Sequence, residues 1–146
     1  MLQLAASEGV GDVRRTPSTM TAQQMADAQG LPRKFLEAIL SDLRRADLLY
    51  SQRGADGGYR LTRKASEIYV GDVIRAVDGP LAEVRGQRPE HATYSGSSEH
   101  LRTLWIATRA SVRRVLDETS LADVVLGEFP THVRELITTP DAWERR

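Results

Sequence analysis

The sequence predicts a mainly α-helical protein with one small β-hairpin, built as a winged helix-turn-helix domain followed by a long C-terminal helix. Three observations support this fold class. Two helical segments meet at Gly30, a glycine- and arginine-rich hairpin follows at 51–63, and an amphipathic stripe runs from 98 to 116. The first two are typical of a helix-turn-helix with a hairpin wing. The third is typical of a helix that buries one face.

The N-terminal part is predicted to hold a short helix, a loop and the first helix of the helix-turn-helix. Residues 2–7 resemble the last turns of a helix, and Gly9-Val10-Gly11 with a polar loop up to residue 18 follows them. Thr21 and Gln24 have the spacing of a capping box, which predicts that a second helix starts there.

The next helix is predicted to carry one apolar face toward the core. Gly30 provides the turn before it, and Pro32 suits its first position, where a missing N–H is no loss. The apolar side chains of this helix recur at helical spacing, so all of them are expected to face the core: Phe35, Leu36, Ile39, Leu40 and Leu43.

Segment 51–63 predicts a cationic β-hairpin. Short apolar runs on either side flank a glycine-rich turn, in which Asp56-Gly57 provides the positive φ angles of a tight turn. Gly58 has no Cβ, so the hairpin can lie close against another surface there. The guanidinium groups around the hairpin are those of Arg53, Arg60 and Arg63. A thin cationic ribbon beside a helix suits the grooves of DNA.

The region after the hairpin is predicted to contain a short helix and a polar loop. Residues 71–77 have an acidic first turn, which suits the helix dipole, and Gly79-Pro80 ends the helix. Residues 82–97 have little apolar content and are expected to form a loop.

A long helix is predicted to begin near Ser98, with a stripe of period near 3.6 residues. The stripe exceeds what one small domain would cover, which predicts a homodimer through Leu101, Leu104, Trp105, Thr108, Val112, Val115 and Leu116. Ser120 and Asp123 then have capping-box spacing, and Gly127 closes a further short helix. Residues 128–146 have weak periodicity and predict a loosely packed or disordered tail.

The chain therefore divides into four regions. Residues 1–81 form the winged helix-turn-helix domain and 82–97 a loop. Residues 98–127 hold the dimerisation helix with its short successor, and 128–146 form the tail. The formal net charge is zero, yet residues 30–64 carry eight basic and four acidic side chains. A neutral protein can thus attract phosphate with one surface.

Composition excludes several classes of protein and site. Cysteine is absent, which removes disulfides, thiol redox switching and any cysteine-ligated zinc or iron–sulfur site. No apolar run approaches the length of a membrane span, so no membrane partner is expected. The start of the chain lacks the features of a signal peptide, so a cytoplasmic location is expected.

Enzyme chemistry finds no support in the motifs. There is no nucleophile elbow, phosphate-binding loop or paired histidine–carboxylate motif, so the protein is not expected to be an enzyme. His91 and His100, each next to a glutamate, are weak candidates for metal ligands. They are more simply interpreted as surface residues of a polar loop, so no metal or other cofactor is expected.

The sequence resembles the Rrf2 family of bacterial winged-helix transcription regulators. The likeness covers about residues 1–127 and is tightest over 21–81. The Arg-Gly-x-x-Gly-Gly-Tyr hairpin is its most specific feature, within a resemblance carried by 30–37, 48–54, 57–61, 71–81, Trp105 and 119–123. The resemblance implies a sequence-specific DNA-binding regulator, acting as a repressor, whose homodimer binds a palindromic operator in double-stranded DNA.

Three departures from the family pattern are visible. Many members carry three cysteines in the segment that here spans 82–100, and this chain has none, so no iron–sulfur cluster is expected. The first helix is shorter than is usual in the family. Asp47 stands where members usually have glycine after the recognition helix, and Asp tolerates the left-handed conformation better than most residues.

The resemblance also implies which residues contact DNA. Arg33 and Lys34 reach guanine edges or phosphates in the major groove, Glu37 accepts from a cytosine, and Arg53 enters the minor groove. The full expected set is Thr21, Pro32, Arg33, Lys34, Glu37, Arg53, Gly54, Gly57, Gly58, Tyr59, Arg60 and Arg63. Simpler readings stay open for Glu37 as a surface ion-pair partner, Thr21 as a cap and Tyr59 as a packing residue.

Two alternatives complete the sequence-based hypothesis. The winged helix could serve protein interaction or small-molecule sensing with little DNA affinity. The input of the regulator is also open: the sequence does not choose between an unknown small-molecule effector, such as an apolar or aromatic compound, a protein partner, and no ligand.

Overall fold

The structure, a computed structural model, describes residues 1–9, 19–54, 57–84 and 86–144. Its helices and strands are α1 (Leu2–Ser7), α2 (Ala22–Gln29), α3 (Arg33–Arg45), β1 (Leu49–Gln52), β2 (Gly58–Leu61), α4 (Val70–Asp78), α5 (Leu101–Leu116), α6 (Leu121–Leu126) and α7 (Thr131–Leu136). The predicted mainly helical fold with one antiparallel hairpin is confirmed. Within the described ranges, no helix combines the length and apolar character needed to cross a bilayer.

The two helices of the helix-turn-helix begin and end at the predicted signals. Thr21 Oγ1 accepts the Gln24 amide at 3.2 Å, and Gln24 Oε1 accepts the Thr21 amide at 2.8 Å, which completes the capping box. Gly30 ends α2 in the left-handed conformation with φ 62°. Pro32 has ψ 129° and is the N-cap of α3, one residue before its predicted place.

The buried face of α3 is narrower than predicted. Leu36, Leu40 and Leu43 are buried, but Ile39 is only half-buried and Phe35 is 58% exposed. Each helical residue advances about 100° around the axis, so Phe35 is carried well away from the face centred on Leu36. The prediction that Phe35 belongs to the core is therefore wrong.

The hairpin has a longer connection than the predicted tight turn. Gln52 pairs with Gly58, which leaves residues 53–57 to join the strands. The positive φ, 114°, falls on Gly54, and Asp56 lies outside the described residues. Gly57 is needed for a different reason, because a Cβ there would lie 2.7 Å from the carbonyl oxygens of Gln52 and Gly54.

A third backbone segment joins the hairpin at Met20. The Tyr59 amide donates to the Met20 carbonyl at 2.8 Å, and the Met20 amide donates to the Tyr59 carbonyl at 3.0 Å. A Cβ on Gly58 would lie 2.8 Å from the Met20 oxygen, so the predicted close approach at Gly58 is confirmed. The hairpin is thereby fixed to the residue that precedes the helix-turn-helix.

The turn after α3 uses Asp47 as the sequence predicts. Asp47 has φ 55°, the left-handed conformation that glycine adopts at no cost. The Thr62 hydroxyl donates to the Asp47 carbonyl at 2.7 Å, which ties the end of β2 to this turn.

The apolar core combines residues from both ends of the chain. Leu4 and Ala5 of α1 are buried with Leu121 and Ala122 of α6, and α1 packs directly against α6. The Leu121 amide donates to the Ile68 carbonyl at 2.9 Å. The predicted Ser120–Asp123 capping box and the closing Gly127, with φ 71°, are both present in α6.

Ion pairs join α4 to the end of α5. Arg75 donates to Asp117 and, at 3.0 Å, to Asp72, while Arg113 Nε lies 3.2 Å from Asp117 Oδ2. Gly71 packs beneath this network, because a Cβ there would overlap with Asp117 Oδ1. As predicted, Asp72 lies in the first turn of α4 and Gly79 follows its end, with φ 87°.

The loop and the tail both contain more order than the sequence suggests. Pro89–His91 and Gly96–Ser98 form 3₁₀ turns, and Pro89 is fully buried. Residues 98–100 precede α5, which begins at Leu101. In the tail, predicted to be loose or disordered, α7 follows Pro130, and His132 Nε2 lies 3.1 Å from the Arg114 carbonyl oxygen of α5.

Candidate nucleic-acid interface

The N-terminal half of α3 presents a polar, exposed surface. Arg33, Lys34 and Glu37 are all exposed, and Arg33 Nε donates to Glu37 Oε1 at 2.7 Å. Pro32 makes no side-chain capping hydrogen bond, so no N-cap side chain accepts from the amides in the first turn of α3. Positive helix-dipole ends of this kind favour anions, and Arg33 and Lys34 add charge of the same sign.

The Glu37 carboxylate therefore already has an ion-pair partner in the protein without a ligand. The Arg33–Glu37 pair has the i,i+4 spacing of a surface helix pair, which matches the simpler reading of Glu37 as an ion-pair partner. Both side chains stay about half exposed, at 60% and 45%, so either can turn to a different partner at low cost.

The hairpin carries its arginines at two different places. Arg53 and Gly54 are exposed at the start of the connection between the strands, and Arg63 is exposed just beyond β2. Arg60 lies opposite Tyr50 in the ladder, with its guanidinium carbon 4.8 Å from the centre of the Tyr50 ring. This cation–π contact holds Arg60 against the outer face of the hairpin.

Sequence reasoning missed the contact between Tyr50 and Arg60. The alternation of the strands held the signal, because Leu49 and Leu61 are buried and their neighbours must point outward. The side chains of Lys34, Arg53 and Arg63 have neither a hydrogen bond nor an ion pair among the residues that the structure describes. They are the cations most available to an anionic partner.

Two of the expected contact residues are used inside the fold. The Thr21 amide donates to Gln24 Oε1 at 2.8 Å, so Thr21 is engaged in the capping box. The Tyr59 side chain is half-buried against the core, and its backbone pairs with Met20. Both therefore position the interface from within the fold.

The expected dimer stripe lies on a helix without a single buried residue. Leu101 and Leu104 are 37% and 56% exposed, and Ile106, which the sequence analysis did not single out, is 37% exposed. The rest of the stripe is more covered or polar: Trp105, Val112, Val115 and Leu116 are half-buried, and Thr108 is exposed with its hydroxyl donating to the Leu104 carbonyl at 3.0 Å.

The weak metal candidates do not come together. His100 Nε2 lies 3.2 Å from Oε1 of its sequence neighbour Glu99. Across the described residues, no three His, Cys, Asp or Glu side chains are grouped closely enough to hold a metal ion.

Comparison with known families agrees with this geometry. The family model Rrf2, described as an iron-dependent transcriptional regulator, matches residues 12–126. That span contains the helix-turn-helix, the hairpin, α4, α5 and α6.

Individual relatives and solved structures point the same way. Rv1287 of Mycobacterium tuberculosis, whose name places it among the HTH-type transcriptional regulators, is 46% identical over 93% of this chain and 80% of its own length. CymR of Bacillus subtilis is 36% identical over 85% of this chain and 80% of its own. The solved structure of B. subtilis CymR, titled the global cysteine regulator, superposes with a TM-score of 0.69 over 86% of this chain and 87% of that one. The structure of T. potens IscR superposes with a TM-score of 0.61 and is 28% identical in sequence, over 99% of this chain and 83% of that one.

Proposed function

This chain belongs to the Rrf2 family of helix-turn-helix transcriptional regulators, and from that premise we propose that its homodimer binds a palindromic operator and represses the adjacent gene. Its relatives are regulators and not enzymes, in agreement with the sequence-based expectation. The proposal rests on two exposed cations, Lys34 on α3 and Arg53 on the hairpin, whose side chains have no partner among the described residues.

In the proposed complex, α3 enters the major groove and the hairpin lies over the adjacent minor groove. Lys34 and Arg33 contact phosphates or guanine edges, and Arg53 reaches into the minor groove, where narrow A·T stretches concentrate negative potential. Arg60, Arg63 and the glycines of the hairpin complete the surface that follows the backbone.

Glu37 reads a cytosine amino group once DNA has separated it from Arg33. An exposed i,i+4 ion pair contributes only about 0.3–0.5 kcal/mol, so breaking it costs little. Arg33 is then free for a guanine or phosphate, and Glu37 for a hydrogen bond from cytosine. The ion pair thereby keeps both side chains ordered until DNA provides a new partner for each of them.

The homodimer is supported by the exposed apolar side chains of α5. Helices in proteins gain most of their stability from packing, yet none of the 16 residues of α5 is buried. The stripe that includes Leu104 therefore provides a face for a second copy. A two-fold dimer would place two α3 helices in successive major grooves, which requires an operator with matching symmetry.

The input of the regulator is proposed to be a small-molecule effector. The chain contains no cysteine, so the iron dependence in the family description does not extend to it through a cysteine-ligated cluster. The proposed location is the cytoplasm, where the regulator has access to DNA.

Selection of binding sites from random DNA with purified protein tests the proposal. We expect an inverted-repeat sequence, bound with an affinity that falls steeply with salt because Lys and Arg displace counterions from phosphates. Transcription in vitro from a promoter overlapping that site should then decrease when protein is added. Binding that ignores sequence and salt would favour the alternative, a winged helix used for protein interaction.

A further inference from the structure

A cleft lies between the end of α4 and the middle of α5, and we name it the α4–α5 cleft. Its volume is about 360 Å³, within the range of sites for small molecules. It is lined by residues 79–81, by Glu83, by residues 88–90, and by the arginines Arg75, Arg109 and Arg113. Three separate elements thus meet around one concave surface.

The α4–α5 cleft is rich in arginine, and its four guanidinium groups are not equivalent. Arg75 and Arg113 are engaged by Asp117 outside the cleft lining. Arg109 is mostly buried, with 20% of its side chain exposed, and its Nη1 donates to Glu90 Oε2. The Arg88 side chain has no carboxylate partner and no hydrogen bond within the described part of the chain.

Two guanidinium groups therefore keep unused donors toward the cleft. A guanidinium has five N–H donors, and the contact with Glu90 uses one nitrogen of Arg109. The pKa of Glu90 is held below its usual value, first by a hydrogen bond from its own backbone amide and then by Arg109. Glu90 is thus ionised at neutral pH and orients Arg109 without using its full capacity.

We propose that the α4–α5 cleft binds a small organic anion through a carboxylate or phosphate group held by Arg88 and Arg109. Paired guanidinium groups match the planar or tetrahedral oxygens of such anions and bind them by charge-assisted hydrogen bonds. Glu83 and Glu90 also line the cleft and disfavour a ligand with several negative charges. A small organic anion also differs from the apolar or aromatic effector suggested by the sequence.

This inference names the class of the effector and depends on the proposed function only for its regulatory meaning. Binding of the anion itself is measured without DNA, so failure of the regulator hypothesis and failure of the cleft hypothesis are distinguishable. The site spans α4, which packs on α3, and α5, which carries the proposed dimer face, so an occupant would contact both halves of the protein.

Titration of the purified full chain with inorganic phosphate and, separately, with pyruvate tests the proposal at constant ionic strength. Arginine side-chain N–H signals in NMR spectra report directly on each guanidinium. We expect the Arg88 and Arg109 signals to shift and saturate with a Kd of about 1 mM or tighter for at least one probe. Saturation by one probe alone identifies the phosphate or the carboxylate as the recognised group.

Three variants complete the test. R88Q removes a guanidinium that has no ion pair with any described residue, and we expect it to weaken binding about tenfold, as the loss of a charge-assisted hydrogen bond does. R109Q should weaken binding at least as much, whereas R102Q, on an exposed part of α5 outside the cleft, should leave it unchanged. Unsaturable shifts with both probes, or saturable binding that R88Q leaves intact, would overturn the proposal.

Discussion

Arg75 of α4 donates to Asp117, which follows the last residue of α5, and this ion pair joins the helix-turn-helix half of the molecule to the helix proposed for dimerisation. Arg113 reaches the same carboxylate from within α5. Asp117 therefore receives two guanidinium groups and lies directly over Gly71. Asp117 thus links α4 to the end of α5 through two ion pairs.

Replacing Gly71 by alanine should destabilise the protein because the new Cβ would overlap with Asp117 Oδ1. The Asp117 carboxylate must then move away from Arg75 and Arg113, and each weakened, partly exposed ion pair costs up to about 1 kcal/mol in the free energy of unfolding in urea. The same substitution in a D117A background removes the clash and should cost clearly less. If G71A lowered the unfolding free energy equally in both backgrounds, the clash with Asp117 would not be the reason for glycine at position 71.

Asp47 should tolerate glycine but not alanine. Its φ of 55° strains any residue with a Cβ, and Asp is among those that adopt this conformation most readily. We expect D47A to lower the unfolding free energy by about 1 kcal/mol and D47G to leave it unchanged or raise it. A82G, at the other described non-glycine residue with positive φ (54°), is the matched control and should also not destabilise.

Lys34 and Arg53 should contribute to DNA affinity through phosphate or base contacts. The double variant K34Q/R53Q should bind the selected operator more weakly, and each lost phosphate contact should reduce the slope of log K against log salt by about 1. Fluorescence anisotropy at several salt concentrations measures both quantities, with R102Q as the control. An unchanged affinity and slope would remove α3 and the hairpin from the interface.

Leu104 should be required for dimerisation and not for folding. It is 56% exposed on α5, so L104D places a charge on the proposed dimer face without disturbing the core. Sedimentation velocity should show a monomer with unchanged circular dichroism, while T103D, exposed on the same helix but off the stripe, should remain dimeric. A wild-type chain that sediments as a monomer would contradict the dimer itself.

Glu8 should make stability depend on pH. Burial raises its pKa above the ordinary 4.5, although Arg60 and a hydrogen bond from the Leu61 backbone oppose this. The folded state then holds the proton more tightly than the unfolded state, so stability falls as pH rises from 4.5 through the raised pKa. E8Q should be more stable than wild type at pH 7, and the difference should vanish below 4.5 in urea titrations.

Local features of the fold were predictable because their causes lie within a few residues. The capping boxes at Thr21 and Ser120 and the left-handed Asp47 each follow from neighbouring side chains and backbone. Helical spacing shows that the adjacent residues Phe35 and Leu36 cannot both point to the centre of the core, but not which of them is exposed. The helix α7 has too few apolar residues for a periodic signal.

The candidate site was predictable in part. Its residue types and elements follow from the resemblance, but which cations lack partners depends on contacts that the sequence does not determine. Arg60 is held by Tyr50 across the hairpin and Arg33 by Glu37, while Lys34 and Arg53 remain available. The α4–α5 cleft is formed by residues distant in sequence, so no local motif indicates it.

The packing of α6 against α1 has a consequence for biosynthesis. Leu121 and Ala122 share the apolar core with Leu4, so a growing polypeptide on the ribosome lacks part of that core until α6 has left the exit tunnel. The N-terminal residues consequently complete their folding only after α6 has been synthesised. A premature stop codon before Leu121 would yield a product in which the apolar face of α1 is exposed. Cellular proteases would degrade such a product.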